Sequence, residues 1–139
     1  MKHGFVKVAA VTPKIKVADP KYNAEQIRIK LDEAYEKKAK VIVFPELCLT
    51  GYTCGDLFFQ DFLLKETEAQ LIALASYTKG HDSLVFVGLP FEKDSKLYNV
   101  VAAVSKGEVL GIVPKTYLKD SRHFVSGEGL DTEIELPNG

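Results

Sequence analysis

The chain has 139 residues, 46% apolar and 27% charged, which makes about one folded domain at the usual ~100–200 residues per domain and excludes intrinsic disorder. Two cysteines are too few for a disulfide scaffold and point to a reducing, cytoplasmic setting. A net charge of −1 without a basic stripe argues against nucleic acid as a partner, and the longest apolar stretch, Leu84 to Phe91, is interrupted by Gly88 and Pro90 and falls far short of the ~20 residues of a membrane span.

Phe5 to Val11 is a near-continuous apolar run and predicts a strand buried on both faces. A loop follows over Pro13 to Asp19. Asn23 with Gln26 resembles a capping box, and Ala24, Ile27, Leu31 and Ala34 then form one stripe of a helix that ends in the basic run Lys37 to Lys40. Val41 to Phe44 predicts a second buried strand, stopped by Pro45. After a loop from Glu46 to Asp56, a second helix is expected from about Leu57 to Lys79-Gly80, with Phe58, Phe62, Ala69, Ile72, Leu74 and Ala75 as its apolar members. Leu84 to Leu89 is a third buried strand. Lys96 to Val104 and Val109 to Val113 flank Ser105-Lys106-Gly107 as a hairpin. Thr132 to Leu136 alternates like another strand, and Pro137-Asn138-Gly139 is turn chemistry that leads towards a partner. The order β-α-β-α-β-β-β places the chain in the α/β class, with a domain expected to continue past residue 139.

Glu46 follows a buried strand, where open α/β sheets place their ligands. A carboxylate beside so much apolar surface suits a general base; an exposed loop glutamate is the plainer alternative. Lys115 follows a strand in the same way. It could stabilise a developing oxyanion, or it could simply reach into solvent. Cys48 and Cys54 are nucleophile candidates only if a base or cation sits nearby, and in extended backbone Cys48 would share a side with Glu46. Ser126-Gly127-Glu128-Gly129-Leu130-Asp131 looks like a phosphate loop, but an extra glutamate interrupts the glycines, no helix is expected after it and Glu128 would repel phosphate, so it reads as an ordinary loop.

Taken together, Phe44-Pro45-Glu46-Leu47-Cys48-Leu49-Thr50-Gly51-Tyr52 and Pro114-Lys115-Thr116-Tyr117-Leu118 resemble the carbon–nitrogen hydrolase (nitrilase) superfamily. The extension Thr53-Cys54-Gly55-Asp56-Leu57-Phe58 resembles that of the N-terminal glutaminase domains of glutamine-dependent NAD+ synthetases. The resemblance implies a four-layer α-β-β-α sandwich, of which residues 1–139 would be the N-terminal part. It implies Glu46 as general base, Lys115 as oxyanion stabiliser and Tyr52 in the wall of a glutamine pocket. The nucleophilic cysteine of the family follows the lysine, so neither Cys48 nor Cys54 matches it. Glutamine would be hydrolysed to supply ammonia to a C-terminal synthetase domain, which uses ATP and Mg²⁺ to amidate nicotinic acid adenine dinucleotide. No cofactor and no metal are expected in residues 1–139, and a homo-oligomer is. Lys119 to Phe124 looks shortened against the family. The alternatives are a non-catalytic module of the same fold and an amidase acting on another amide.

Overall fold

The computed structural model describes residues 4–118 and 123–129. Five strands form one mixed sheet in chain order: β1 (Val8–Ala10), β2 (Val41–Val43), β3 (Leu84–Lys93), β4 (Lys96–Ser105) and β5 (Glu108–Pro114). β1, β2 and β3 run parallel, while β4 is antiparallel to both β3 and β5. It follows that β1, β2, β3 and β5 all end at the same edge of the sheet. The predicted strand at Thr132 to Leu136 lies outside the described residues.

Helix α1 (Pro20–Glu36) connects β1 to β2, and α2 (Asp61–Tyr77) connects β2 to β3. Both lie on one face, where Ile27, Leu31, Leu71 and Leu74 meet Ile42, Val85, Val87, Leu89, Val100, Ala102 and Val104 in a single core. These strand residues alternate in the period of two that a sheet imposes. The intervening residues point the other way, and that face is open among the described residues over much of its area, with Val8 61% and Val113 67% exposed and Val43 and Val101 also exposed, whereas Leu97 and Asn99 of β4 are buried on it. The expectation of early strands buried on both faces therefore does not hold among the described residues, where the helices cover one side of β1 and β2 and leave Val8 and Val43 exposed on the other.

Three further expectations needed correction. The N-cap of α1 is Asp19, which accepts the Tyr22 amide at 3.0 Å, with Pro20 opening the helix. Proline presets the first helical φ and needs no N–H there, so the start falls before Asn23. Asn23 is instead buried and pins two loops, accepting the Lys16 amide at 2.7 Å and donating to the carbonyls of Lys16 and Leu49 at 2.8 and 3.0 Å. The second predicted helix is two pieces, a 3₁₀ turn over Gly55–Phe59 and then α2, separated by extended Gln60. The break shifts the phase of the apolar stripe. Leu63, Leu64, Thr67 and Leu71 face inward, whereas Phe62 is 80% exposed and Ala69 is exposed. The third strand runs on through Pro90 to Lys93 and turns at Asp94-Ser95, both at positive φ, into β4. Proline is tolerated there because β3 has outrun β2, whose last pair is Val43 with Phe86. The second hairpin turns as expected at Lys106-Gly107, again with positive φ at both residues.

Candidate active site

Glu46 lies three residues past the end of β2, and Lys115 is the first residue past β5. In a sheet whose order follows the chain, β3 and β4 separate these strands. At ~4.8 Å per strand the gap is roughly 14 Å, so the two residues meet only because the loop after β2 travels sideways. It does so along β3: the Phe44 amide donates to Phe86 at 2.9 Å and the Leu49 amide to Gly88 at 3.2 Å. Between those anchors Pro45 to Leu47 bulges over Gly88. A Cβ at Gly88 would stand 2.5 Å from the Leu47 nitrogen, 2.6 Å from the Pro45 oxygen and 2.9 Å from the Glu46 Cα. Leu47 itself takes positive φ, 52°, an uncommon conformation for a branched side chain. It is held there by burial among Cys54, Phe58, Leu63, Leu64 and Leu97.

The bulge delivers Glu46 to Lys115. Lys115 Nζ donates to Glu46 Oε1 at 2.7 Å, and the Asn99 side-chain amide donates to the same oxygen at 2.8 Å. Among the described residues no donor occupies Oε2. The pair is partly open to solvent, with side-chain exposures of 41% for Lys115 and 36% for Glu46. The apolar enclosure expected around Glu46 is therefore not what holds it; two donors are. The hydrogen bond to Glu46 holds the Lys115 ammonium above its usual range against a smaller opposing effect of desolvation, and the charges of Glu46 and Tyr52 act in the same upward direction. Tyr52 is exposed at the same end of the sheet, within electrostatic reach of the lysine.

The thiols do not join this group. The turn at residues 46–50 is not extended, so Cys48 points away from exposed Glu46 into the core and donates to the Gly88 carbonyl at 3.5 Å. Burial pushes the Cys48 thiol up to about 12, and burial likewise raises Cys54, whose sulfur bonds the Thr50 carbonyl at 3.2 Å. Protonated thiols tied to backbone carbonyls are poor nucleophiles.

Three contributors escaped sequence reading. Asn99 sits in β4 with no local motif around it. Gly88 carried a signal, an isolated glycine inside a strand, which often marks close backbone approach. The described part of the Ser126-to-Asp131 loop, residues 126–129, supports the lysine, while its last two residues lie outside the described ones. Gly127 donates to the Lys115 carbonyl at 3.1 Å, Ser126 Oγ to the Thr116 carbonyl at 2.8 Å, and the Val125 amide to Leu97 at 2.8 Å. No group of three or more potential metal ligands gathers among the described residues, and no described helix is long and apolar enough to cross a membrane.

The sequence profile of the carbon–nitrogen hydrolase family matches residues 7–137. The glutamine-dependent NAD(+) synthetase of Mycobacterium tuberculosis is 37% identical over 123 residues, 88% of this chain and 18% of that protein. The corresponding synthetase of Aquifex aeolicus is 40% identical over 118 residues, 81% of this chain and 20% of that one. The chain thus spans about a fifth of the length of these relatives. Among solved structures, a glutamine-dependent NAD(+) synthetase from Cytophaga hutchinsonii superposes with a TM-score of 0.87 over 96% of this chain at 27% identity, covering 24% of that chain. An amidase from a Nesterenkonia species shares the fold, with a TM-score of 0.76 over 92% of this chain and 50% of the amidase at 21% identity.

Proposed function

The chain belongs to the carbon–nitrogen hydrolase family, and on that premise we propose that it is the N-terminal part of a glutaminase domain that feeds ammonia to NAD+ synthesis. Its relatives support the substrate, and the contact between Glu46 and Lys115 is the observation that carries the chemistry. These residues are 69 positions apart in sequence and 2.7 Å apart in space. A carboxylate and an ammonium joined at one strand-end edge can serve as base and oxyanion stabiliser for acyl transfer.

In this reading Glu46 Oε2 takes the proton of a cysteine thiol as the sulfur attacks the side-chain carbonyl of glutamine. Lys115 bonds Glu46 with one N–H and turns another towards the oxygen that becomes negative. The proton on Glu46 passes to the leaving amine, the C–N bond breaks, and ammonia departs from a thioester. Glu46 then removes a proton from water, water attacks the thioester, and glutamate leaves as the thiol is restored. Tyr52 lines the pocket beside Lys115. Cys48 and Cys54 are unsuited to the attack, so the nucleophile comes from sequence beyond these residues in a full-length protein of the relatives' size. ATP and Mg²⁺ belong to its synthetase portion, and no residue of this segment is assigned to them. The full protein is cytoplasmic and homo-oligomeric on the same reading, without nucleic-acid or membrane partners.

The test is Glu46→Gln in the full-length protein. Glutamine-dependent NAD+ formation should fall by about 10²–10⁴-fold, since the glutamine side chain cannot accept the proton. Formation from free ammonia should stay at the parental rate. Equal loss of both would make Glu46 a residue of the fold. Glutamine turnover left intact would remove it from the chemistry, and hydrolysis of some other amide in place of glutamine would change the substrate.

A further inference from the structure

We infer that Asn99 is the positioning residue of this site, holding Glu46 through its side chain and Lys115 through its backbone; the inference rests on the reading of Glu46 and Lys115 given above. Its side-chain amide donates to Glu46 Oε1 at 2.8 Å. Its carbonyl accepts the Lys115 backbone amide at 2.7 Å. One residue therefore ties down both members of the pair, which come from different loops.

Its location makes this possible. Among the described strands β4 alone runs antiparallel to the rest, so it begins at the edge where β2 and β5 end. Asn99 lies opposite Pro90 of β3, and its neighbour Val100 pairs with Pro114, the residue before Lys115. By alternation its side chain leaves the sheet on the face opposite the helices, the side on which Gly88 admits the Glu46 bulge. Asn99 is buried, and burying a carboxamide costs free energy unless it is bonded. The partner it has is a carboxylate 53 residues away in sequence.

The chemistry suits a positioning role. Lys115 ends a flexible four-carbon stem and is partly exposed, so on its own it would leave the carboxylate plane free to rotate. Asn99 is short, strand-borne and buried. Its amide is a second donor on Oε1 and restrains the carboxylate from a rigid, strand-borne position. A carboxamide also neither takes up nor releases a proton, so it cannot compete for the one Glu46 carries.

The experiment compares Asn99→Ala and Asn99→Asp in the full-length protein, with kcat and KM for glutamine measured separately and the ammonia-dependent rate as the folding control. We expect kcat to fall by up to about 10²-fold, as for a catalytic group displaced by roughly 1 Å, with KM within about twofold. Aspartate keeps the shape but turns a donor into a second carboxylate against Glu46, so Asn99→Asp should be the slower of the two. A residue that only filled space would give the reverse order, because alanine removes more packing. Parental kcat in Asn99→Ala, a change confined to KM, or Asn99→Asp outperforming Asn99→Ala would each overturn the inference, as would loss of the ammonia-dependent rate in both variants. Glu46→Gln measured alongside separates the two levels. If that variant still turns over glutamine, the assignment of the pair itself fails; if it is inactive while the asparagine variants are not, only the positioning role fails.

Discussion

Replacing Gly88 with alanine should disable the proposed site while leaving Glu46, Lys115 and Asn99 themselves unchanged in sequence. Gly88 does not occupy the left-handed φ region, so alanine brings no backbone penalty and the effect is steric alone. The added Cβ would stand 2.5 Å from the Leu47 nitrogen and 2.6 Å from the Pro45 oxygen. Ordinary contact is about 3.5 Å, so the bulge must retreat by about 1 Å. Both opposing atoms are backbone, and no side chain can swing aside to absorb the change. The retreat stretches the 2.7 Å bond from Lys115 to Glu46 and the 2.8 Å bond from Asn99 beyond hydrogen-bonding range. An overpacked strand of this kind costs about 1–3 kcal/mol of stability, and a reacting group misplaced by about 1 Å costs on the order of 10² in rate. The assay is glutamine-dependent against ammonia-dependent NAD+ formation by the full-length Gly88→Ala protein, with chemical denaturation alongside. A modest stability loss, a large glutaminase loss and an unchanged ammonia-dependent rate are expected. Parental glutaminase activity in a folded Gly88→Ala protein would refute the claim that this close approach places Glu46.

Lys115→Ala should lower glutaminase turnover by about 10²–10³-fold, as loss of one oxyanion donor does, and Lys115→Arg should not restore it, because the planar guanidinium fork offers different donor geometry; full activity in the arginine variant would reduce Lys115 to a diffuse charge. Cys48 should make stability fall in alkali. Its folded thiol is raised to about 12 from an ordinary 9.0 by burial, so its contribution is complete below about pH 9 and is lost as pH rises towards 12, where the unfolded thiol ionises and the buried one resists. Urea unfolding of the parent and of Cys48→Ala over that range should show the difference between them narrowing with pH, and a constant difference would contradict the burial argument. The 139-residue chain alone should self-associate through the open sheet face bearing Val8, Val43, Val101 and Val113. Size-exclusion chromatography with light scattering tests this, and a monodisperse monomer with one cooperative transition would overturn it.

Local chemistry sufficed for the parts of this protein governed by near neighbours in sequence. The valine-rich runs became strands, the stripe of Ala24, Ile27, Leu31 and Ala34 became the buried face of α1, and Lys106-Gly107 became a hairpin turn. The residues around Glu46 and Lys115 were legible in the same way, as short blocks directly after strands, and family resemblance joined them into one site. Phase and enclosure were not legible. Whether Phe62 or Leu63 faces inward depends on the break at Gln60, and that break places Phe58 in a second cluster with Leu47, Leu63 and Leu64. The capping role moved from Asn23 to Asp19 because Pro20 favours the first helical position and because Asn23 has partners in two distant loops. Tertiary structure alone decided how Glu46 and Lys115 meet. Two strands intervene, so contact requires a loop pressed against Gly88 and an antiparallel strand that presents Asn99 at the shared edge. Such contacts join residues 53 and 69 positions apart, and no periodicity or local spacing records which backbone will lie against which.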